Sequence, residues 1–375
     1  MSRLLKPNLK FSSMFIRNIL LKLIVLTGLP LVMLAACDRK ATDTEQAAPS
    51  AQKSAILLDW LEANGNYIHG NAVPALIDAT DVYAMSNQNI LVIDFRLPEQ
   101  YDEGHIEHSI NMRPPQVLDY FKNTIDPKSF EKIVFVTSNG FVAGYVAAIT
   151  RMLGFDNTYA LRFGLSSWDK SIAENFWLAN INSDFVDKLD FAPHPKNNPG
   201  NLPALAVKAN NGLEIAWERA NQLLENFTPE YLVTAEEVFD NHENYYIANY
   251  WPEDKYLKNG HIPGAIQYQP KHSFQKNTDL TTLPTDKTIV VYCYSGQHSN
   301  FIVAYLHLLG YDVRSVAYGA NGFIHQIMAE TEASPSRTFT KEQIKNLPLV
   351  KSGETPAVEK MIEIPTETIK VAGGC

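Results

Sequence analysis

The residues best suited to covalent chemistry are the three cysteines, and each lies in a different setting. Cys293 stands in "VVYCYSGQHSN", Val290 to Asn300, between a β-branched run and a small-residue turn that leads into the helical pattern "NFIVAYLHLL". A strand, loop, helix order puts the thiol at a helix N-terminus, where unpaired N–H groups and the positive end of the dipole favour an anion. A free thiol has a pKa of about 8.5, and such a setting lowers it toward neutrality or below. The spacing therefore predicts Cys293 as a nucleophile, the alternative being a small buried core residue. Gly296 lets the loop bend tightly, because no Cβ opposes a positive φ. Tyr294, Ser295, Gln297, His298 and Ser299 complete the loop as candidate substrate contacts, with Ser295 and Ser299 as hydroxyl donors. His298 either orients an anionic substrate or caps the start of the helix.

The elements that must position this loop occur twice. "NILVIDFRLPEQYDEGHIEHSINM" and "KIVFVTSNGFVAGYVAAITRMLGFDNTYAL" are matched by "YYIANYWPEDKYLKNGHIPGAIQY" and "TIVVYCYSGQHSNFIVAYLHLLGYDVRSV". His105 and His261, Gly140 and Gly296, and Gly154 and Gly310 are each 156 positions apart, which indicates a duplication without net insertion. Short β-branched runs alternate with helical stretches in both copies. The fold class predicted is therefore α/β, two domains, each a parallel sheet flanked by helices on both faces. The Pro- and Asn-rich "FAPHPKNNPGNLP" reads as a linker, giving domains at 54–195 and 196–335.

Together the "PEDKYLKNGHIPGAI" segment, the "VVYCYSGQHS" loop and "YLHLLGYDV" resemble a rhodanese domain, and the first block resembles a second one. The resemblance implies a sulfurtransferase in which Cys293 takes sulfane sulfur from a small donor such as thiosulfate or mercaptopyruvate, holds it as a persulfide, and passes it to a thiol or cyanide acceptor. It implies no metal and no organic cofactor. The loop "CYSGQH" has the six-residue length of the family's sulfur-transferring members, whereas its phosphatases and arsenate reductases use a longer loop closed by arginine. Two departures stand out. His298 occupies a place where many members carry arginine, and alignment on the shared "PE" sets Ala248 and Tyr250 opposite the acidic and basic pair Asp94 and Arg96 of the first block. In that first block Thr137 replaces the cysteine, so the N-terminal domain is expected to be noncatalytic; Ser138 has no base beside it. His105 and His108 have a spacing that suits a metal, but His105 belongs to the "GHI" fold motif, and structural roles are expected for both. The competing function is a noncatalytic rhodanese-fold binding module that presents its surface to an exported protein partner.

Outside the blocks, residues 1–36 carry Arg3, Lys6, Lys10, Arg17 and Lys22, no acidic residue, and the apolar run "LIVLTGLPLVMLAA". This reads as a secretory signal. The "MLAAC" ending resembles a bacterial lipoprotein box, which implies diacylation of Cys37 and membrane attachment through it. The alternative, an uncleaved span, needs roughly 20 apolar residues, and Lys22, Gly28 and Pro30 interrupt this run. Asp38 resembles an inner-membrane retention signal, so the expected location is the cell envelope, facing the periplasm. Residues 37–53 read as a flexible tether. Taking the leader's five cations from 32 leaves 27 Lys and Arg against 41 Asp and Glu, a net charge of −14. Nucleic acid is thereby disfavoured as a partner. Residues 336–375 read as a polar tail ending "GGC", whose Cys375 is either a sulfur relay that swings to Cys293 or an exposed thiol open to disulfide formation. Its glycines partly resemble those flanking the carrier cysteine of the thiosulfate-oxidising system.

Overall fold

The computed structural model describes residues 50–332 and 334–353, so Cys37, Asp38, Cys375 and the leader lie outside the described residues. Two five-stranded, all-parallel sheets follow each other. The first has strands β1 (Leu76–Ile77), β2 (Ile90–Asp94), β3 (Ile110–Asn111), β4 (Lys132–Val136) and β5 (Thr158–Leu161), in the order β1-β5-β4-β2-β3. The second repeats it with β6 (Leu232–Val233), β7 (Tyr246–Asn249), β8 (Ile266–Gln267), β9 (Ile289–Tyr292) and β10 (Val313–Val316), in the order β6-β10-β9-β7-β8. Continuous apolar runs form the middle strands because helices cover both faces: Ile133 to Val136 and Ile289 to Tyr292 are fully buried. The predicted α/β tandem is the fold observed.

The two domains share a core. The helices Phe141–Met152 and Gln297–Leu308, which follow β4 and β9, pack against each other, and one apolar cluster contains Phe135 and Ile149 together with Ile289 and Phe301. Close approach depends on Gly144, where an added Cβ would come 3.1 Å from the Phe301 ring. The helix Gly212–Glu225 packs on the helix Ser50–Ala63.

Three boundaries differ from the sequence reading. Residues 50–53, assigned to the tether, open the first helix, and Lys53 is buried with its ammonium donating to the carbonyls of Val207, Lys208 and Ala209. Residues 182–194, assigned to the first domain, lie on the second, where Asp190 and His261 exchange both backbone hydrogen bonds at 2.9 Å. Conversely, residues 345–350 of the tail lie on the first domain, where Lys345 N and Leu347 N donate to Ser167 O and Trp168 O, and Val350 and His105 exchange both bonds at 2.9 Å. The equivalent histidines His105 and His261 thus each receive a strap, and the straps are crossed between domains. These segments have no apolar periodicity because they pair through backbone groups, which every residue carries.

The described tail is accordingly packed rather than free. Phe339 is fully buried against Phe163 and Trp177, and Trp168 Nε1 donates to the Pro348 carbonyl. Phe339→Ala is expected to lower stability by about 3–5 kcal/mol, the usual cost of emptying an aromatic site. The midpoint of urea unfolding measures this; a midpoint equal to that of the wild type would mean the strap is not closed in solution.

Candidate active site

Strand β9 ends at Tyr292 and delivers Cys293 to a loop whose carbonyls are held from a third segment. Ala320 N donates to Cys293 O at 3.0 Å, and Asn321 donates to Tyr294 O through its backbone (3.1 Å) and its side chain (2.7 Å). Gly296 has φ +75° and starts the helix Gln297–Leu308. Its backbone turns the loop around the thiol: Ser299 N lies 3.4 Å from Cys293 Sγ, and the backbone N–H groups of Ser295 and Gly296 also favour an anion on the sulfur. Ser299 Oγ lies 3.8 Å from the sulfur and is itself held by Gly296 O and Ser315 Oγ.

Burial changes the expected electrostatics. Cys293 is 0% exposed, and loss of solvent pushes its thiol above the ordinary value, offset only in part by the three N–H groups and the Ser299 hydroxyl. The predicted lowering is therefore corrected. A helix N-terminus stabilises a thiolate, but removing the surrounding water costs it more. With the pKa raised, Cys293 should react faster as pH rises, roughly tenfold per pH unit while the thiol dominates, and continue to gain above the ordinary thiol range. Mass-spectrometric rates of Cys293 alkylation across the alkaline range check this; a plateau near neutral pH would contradict it.

The other predicted loop residues are all buried. Tyr294 stacks on Trp251 at 5.0 Å, with the Arg337 guanidinium 4.8 Å from its ring. Gln297 reaches into the first domain, its Oε1 accepting from Phe163 N at 2.7 Å, while its Nε2 has no partner. His298 has no partner on either ring nitrogen and meets the Tyr250 ring edge-on at 5.1 Å. Burial, then the charge of Lys271, pushes its pKa down to about 3. His298 is thus neutral at physiological pH and brings no cation to the loop, and its unpartnered side chain makes no capping bond. Asn300 Oδ1, one residue beyond the loop, also lacks a partner.

Strand register corrects the alignment made on "PE". Asp94 pairs with Val136 and Asn111, and Asn249 pairs with Tyr292 and Gln267, so Asn249 rather than Ala248 stands at the Asp94 position. Arg96 correspondingly matches Trp251: Asn111 Nδ2 donates to Arg96 O, as Gln267 Nε2 does to Trp251 O. In the first domain Asp94 and Arg96 form a buried ion pair at 2.7 Å. In the second, Asn249 donates to the Tyr292 hydroxyl at 2.8 Å and Trp251 stacks on the loop. An amide and an indole thus stand in place of two charges.

The equivalent loop of the first domain is closed on itself. Thr137 Oγ1 accepts from Gly140 N at 2.9 Å, and Phe141, at the position of Gln297, packs on Tyr318 and Trp177. Ser138 is held by Ser166, whose hydroxyl donates to its carbonyl. His105 stacks on Tyr101 at 3.7 Å inside its strap, whereas His108 is exposed at a positive φ of 63°.

Sequence reasoning missed Gly319, Asn321, Ser315 and Lys271. Gly319 carried the clearest signal, since "YGANG" follows β10 as "FGLSS" follows β5, but its role depends on a contact with the cysteine loop that only folding creates.

A duplicated parallel α/β unit whose central strand ends in an N–H-lined loop at a helix N-terminus defines the class. The family described as Rhodanese-like domain matches residues 78–171 and 240–326, and the chain is a tandem rhodanese-domain protein. No curated protein matches the chain. Among solved structures, a thiosulfate sulfurtransferase from Pseudomonas aeruginosa is 14% identical over 73% of this chain and 47% of that one, with a TM-score of 0.26. This chain therefore spans about half of that protein's length. A 3-mercaptopyruvate sulfurtransferase from Leishmania major is 12% identical over 68% of this chain and 78% of that one, with a TM-score of 0.24. A rhodanese-related protein from Thermoplasma volcanium is 20% identical over 32% of this chain and 95% of that one, with a TM-score of 0.22. Likenesses of this size carry nothing about activity.

Proposed function

We propose that the protein transfers sulfane sulfur through a persulfide on Cys293. The observation that carries this reading is the convergence of three backbone N–H groups on one sulfur at the start of a twelve-residue helix. Such an arrangement stabilises the extra negative charge of a terminal persulfide sulfur without a metal or arginine. In the first half-reaction Cys293 loses its proton to the medium and its thiolate attacks the outer sulfur of a donor such as thiosulfate. A sulfur–sulfur bond forms to Cys293, thiosulfate's own sulfur–sulfur bond breaks, and sulfite leaves with the electron pair; with mercaptopyruvate the carbon–sulfur bond breaks instead, and pyruvate leaves as its enolate and takes up a proton. In the second, an acceptor thiolate or cyanide attacks the terminal sulfur and the electron pair returns to Cys293. Because the thiol is enclosed, exchange requires the surrounding walls to part.

The test is incubation of the protein with thiosulfate or mercaptopyruvate, followed by peptide mass spectrometry. A gain of one sulfur atom on the Cys293 peptide, lost on adding cyanide, is the expected result; no gain with either donor would overturn the reading. That outcome would favour the second reading, a noncatalytic binding module facing an exported protein partner, which the complete burial of Cys293 supports. As part of the same proposal, Cys37 is the lipid anchor that holds the protein in the cell envelope facing the periplasm, Asp38 keeps it at the inner membrane, and Cys375 is the relay that receives the sulfur.

A further inference from the structure

The loop around Cys293 lacks a cation of its own, yet the donors considered are anions. Cationic side chains elsewhere on the second domain and its straps are largely engaged: Arg337 and Lys255 share Glu332, Lys196 pairs with Asp279, and Lys276 pairs with Asp59. Lys271 forms no ion pair among the described residues. It follows β8, is half-buried, and is held at φ +59°, a left-handed conformation that a side chain with a Cβ disfavours. Its backbone N–H donates to the Tyr250 hydroxyl at 2.6 Å, and the ring of that same Tyr250 meets His298 edge-on at 5.1 Å. Tyr250 in turn donates its own N–H to Tyr292 O, directly before Cys293. Tyr250 therefore ties together the lysine loop, His298 and the strand that carries the thiol. Through Tyr250 the lysine loop lies beside His298, whose two buried ring nitrogens have no protein partner, and Gln297 adds an unpartnered buried amide N–H. Buried polar atoms left open in this way are uncommon and call for a ligand or ordered water.

We infer that Lys271 is the specificity-determining residue that takes the acid group of the sulfur donor, with His298 and the Gln297 amide as its hydrogen-bonding neighbours. The inference rests on the sulfur-transfer reading, but its test does not need sulfur chemistry. A lysine is a point charge on a flexible stem, so it guides a monoanionic or dianionic oxyacid group without the two-pronged geometry arginine imposes.

The experiment compares the full chain with Lys271→Gln and Lys271→Arg. Rates of Cys293 modification are measured with iodoacetate and with iodoacetamide, which differ in charge but form the same carbon–sulfur bond as iodide leaves. Persulfide formation from thiosulfate is measured in parallel. In Lys271→Gln the iodoacetate-to-iodoacetamide rate ratio and the efficiency with thiosulfate should each fall about tenfold or more, the usual value of a charged hydrogen bond. Lys271→Arg should restore most of the ratio, which a merely structural role would not predict. An unchanged ratio while thiosulfate still loads wild-type Cys293 would overturn the role of Lys271 and leave sulfur transfer standing. A lowered ratio in a protein that thiosulfate never loads would keep the anion site and remove the sulfur-transfer reading. If no anionic reagent modifies Cys293 in the wild type, both fall.

Discussion

Cys293→Ser is expected to abolish donor-dependent sulfur loading while leaving stability within about 1.5 kcal/mol of the wild type. The chemical half of this expectation follows from the leaving group: a serine oxygen is far less acidic than a thiol and forms no exchangeable sulfur–sulfur bond. The structural half has an internal precedent. Thr137 stands at the equivalent position of the first domain, and its hydroxyl accepts Gly140 N at 2.9 Å inside a loop of the same shape. A serine in the second loop has the N–H groups of Ser295, Gly296 and Ser299 available in the same way. Residual persulfide on the chain after this substitution, mapped by peptide mass spectrometry, would move the chemistry to another thiol. A large loss of stability in urea would instead show that the sulfur is chiefly a packing group.

Gly319→Ala should be strongly damaging, costing about 2–5 kcal/mol through left-handed backbone strain and overpacking together. Gly319 has φ +53°, and an added Cβ would come 2.3 Å from Cys293 O and 2.4 Å from Gly296 N. Neither atom is the tip of a flexible side chain, so relief requires the cysteine loop itself to move. The first domain shows the same constraint at Gly164, where a Cβ would come 2.2 Å from Thr137 O and 2.5 Å from Gly140 N. Loading of Cys293 should therefore fall with stability, because the N–H groups aimed at the sulfur are fixed by the backbone that Gly319 supports. A Gly319→Ala protein with wild-type unfolding midpoint and wild-type loading rate would refute this packing.

Much of the architecture is legible in the chain because duplication and periodicity are local properties. Continuous apolar runs at β4 and β9, the paired glycines Gly140 and Gly296, and the cysteine between strand and helix all lead to the observed sheets and loop. The alignment of Asp94 failed by one residue because a proline motif was matched, whereas the strand ladder holds Asn249 at that place. One residue fewer before Pro252, and a longer helix Glu253–Asn259 after it, absorb the difference without altering the 156-residue spacing of the histidines.

By itself the sequence determined the tandem α/β plan, the shape of the loop and the identity of its thiol, since each depends on neighbours within a few residues. Only the tertiary structure decided that the straps cross between domains, that Lys271 approaches the loop through Tyr250, and that Cys293 is a raised rather than a lowered thiol. The reason is physical. Strap pairing uses backbone groups common to all residues, and a thiol's acidity is set by how much water the folded chain removes from it, a quantity no local pattern contains.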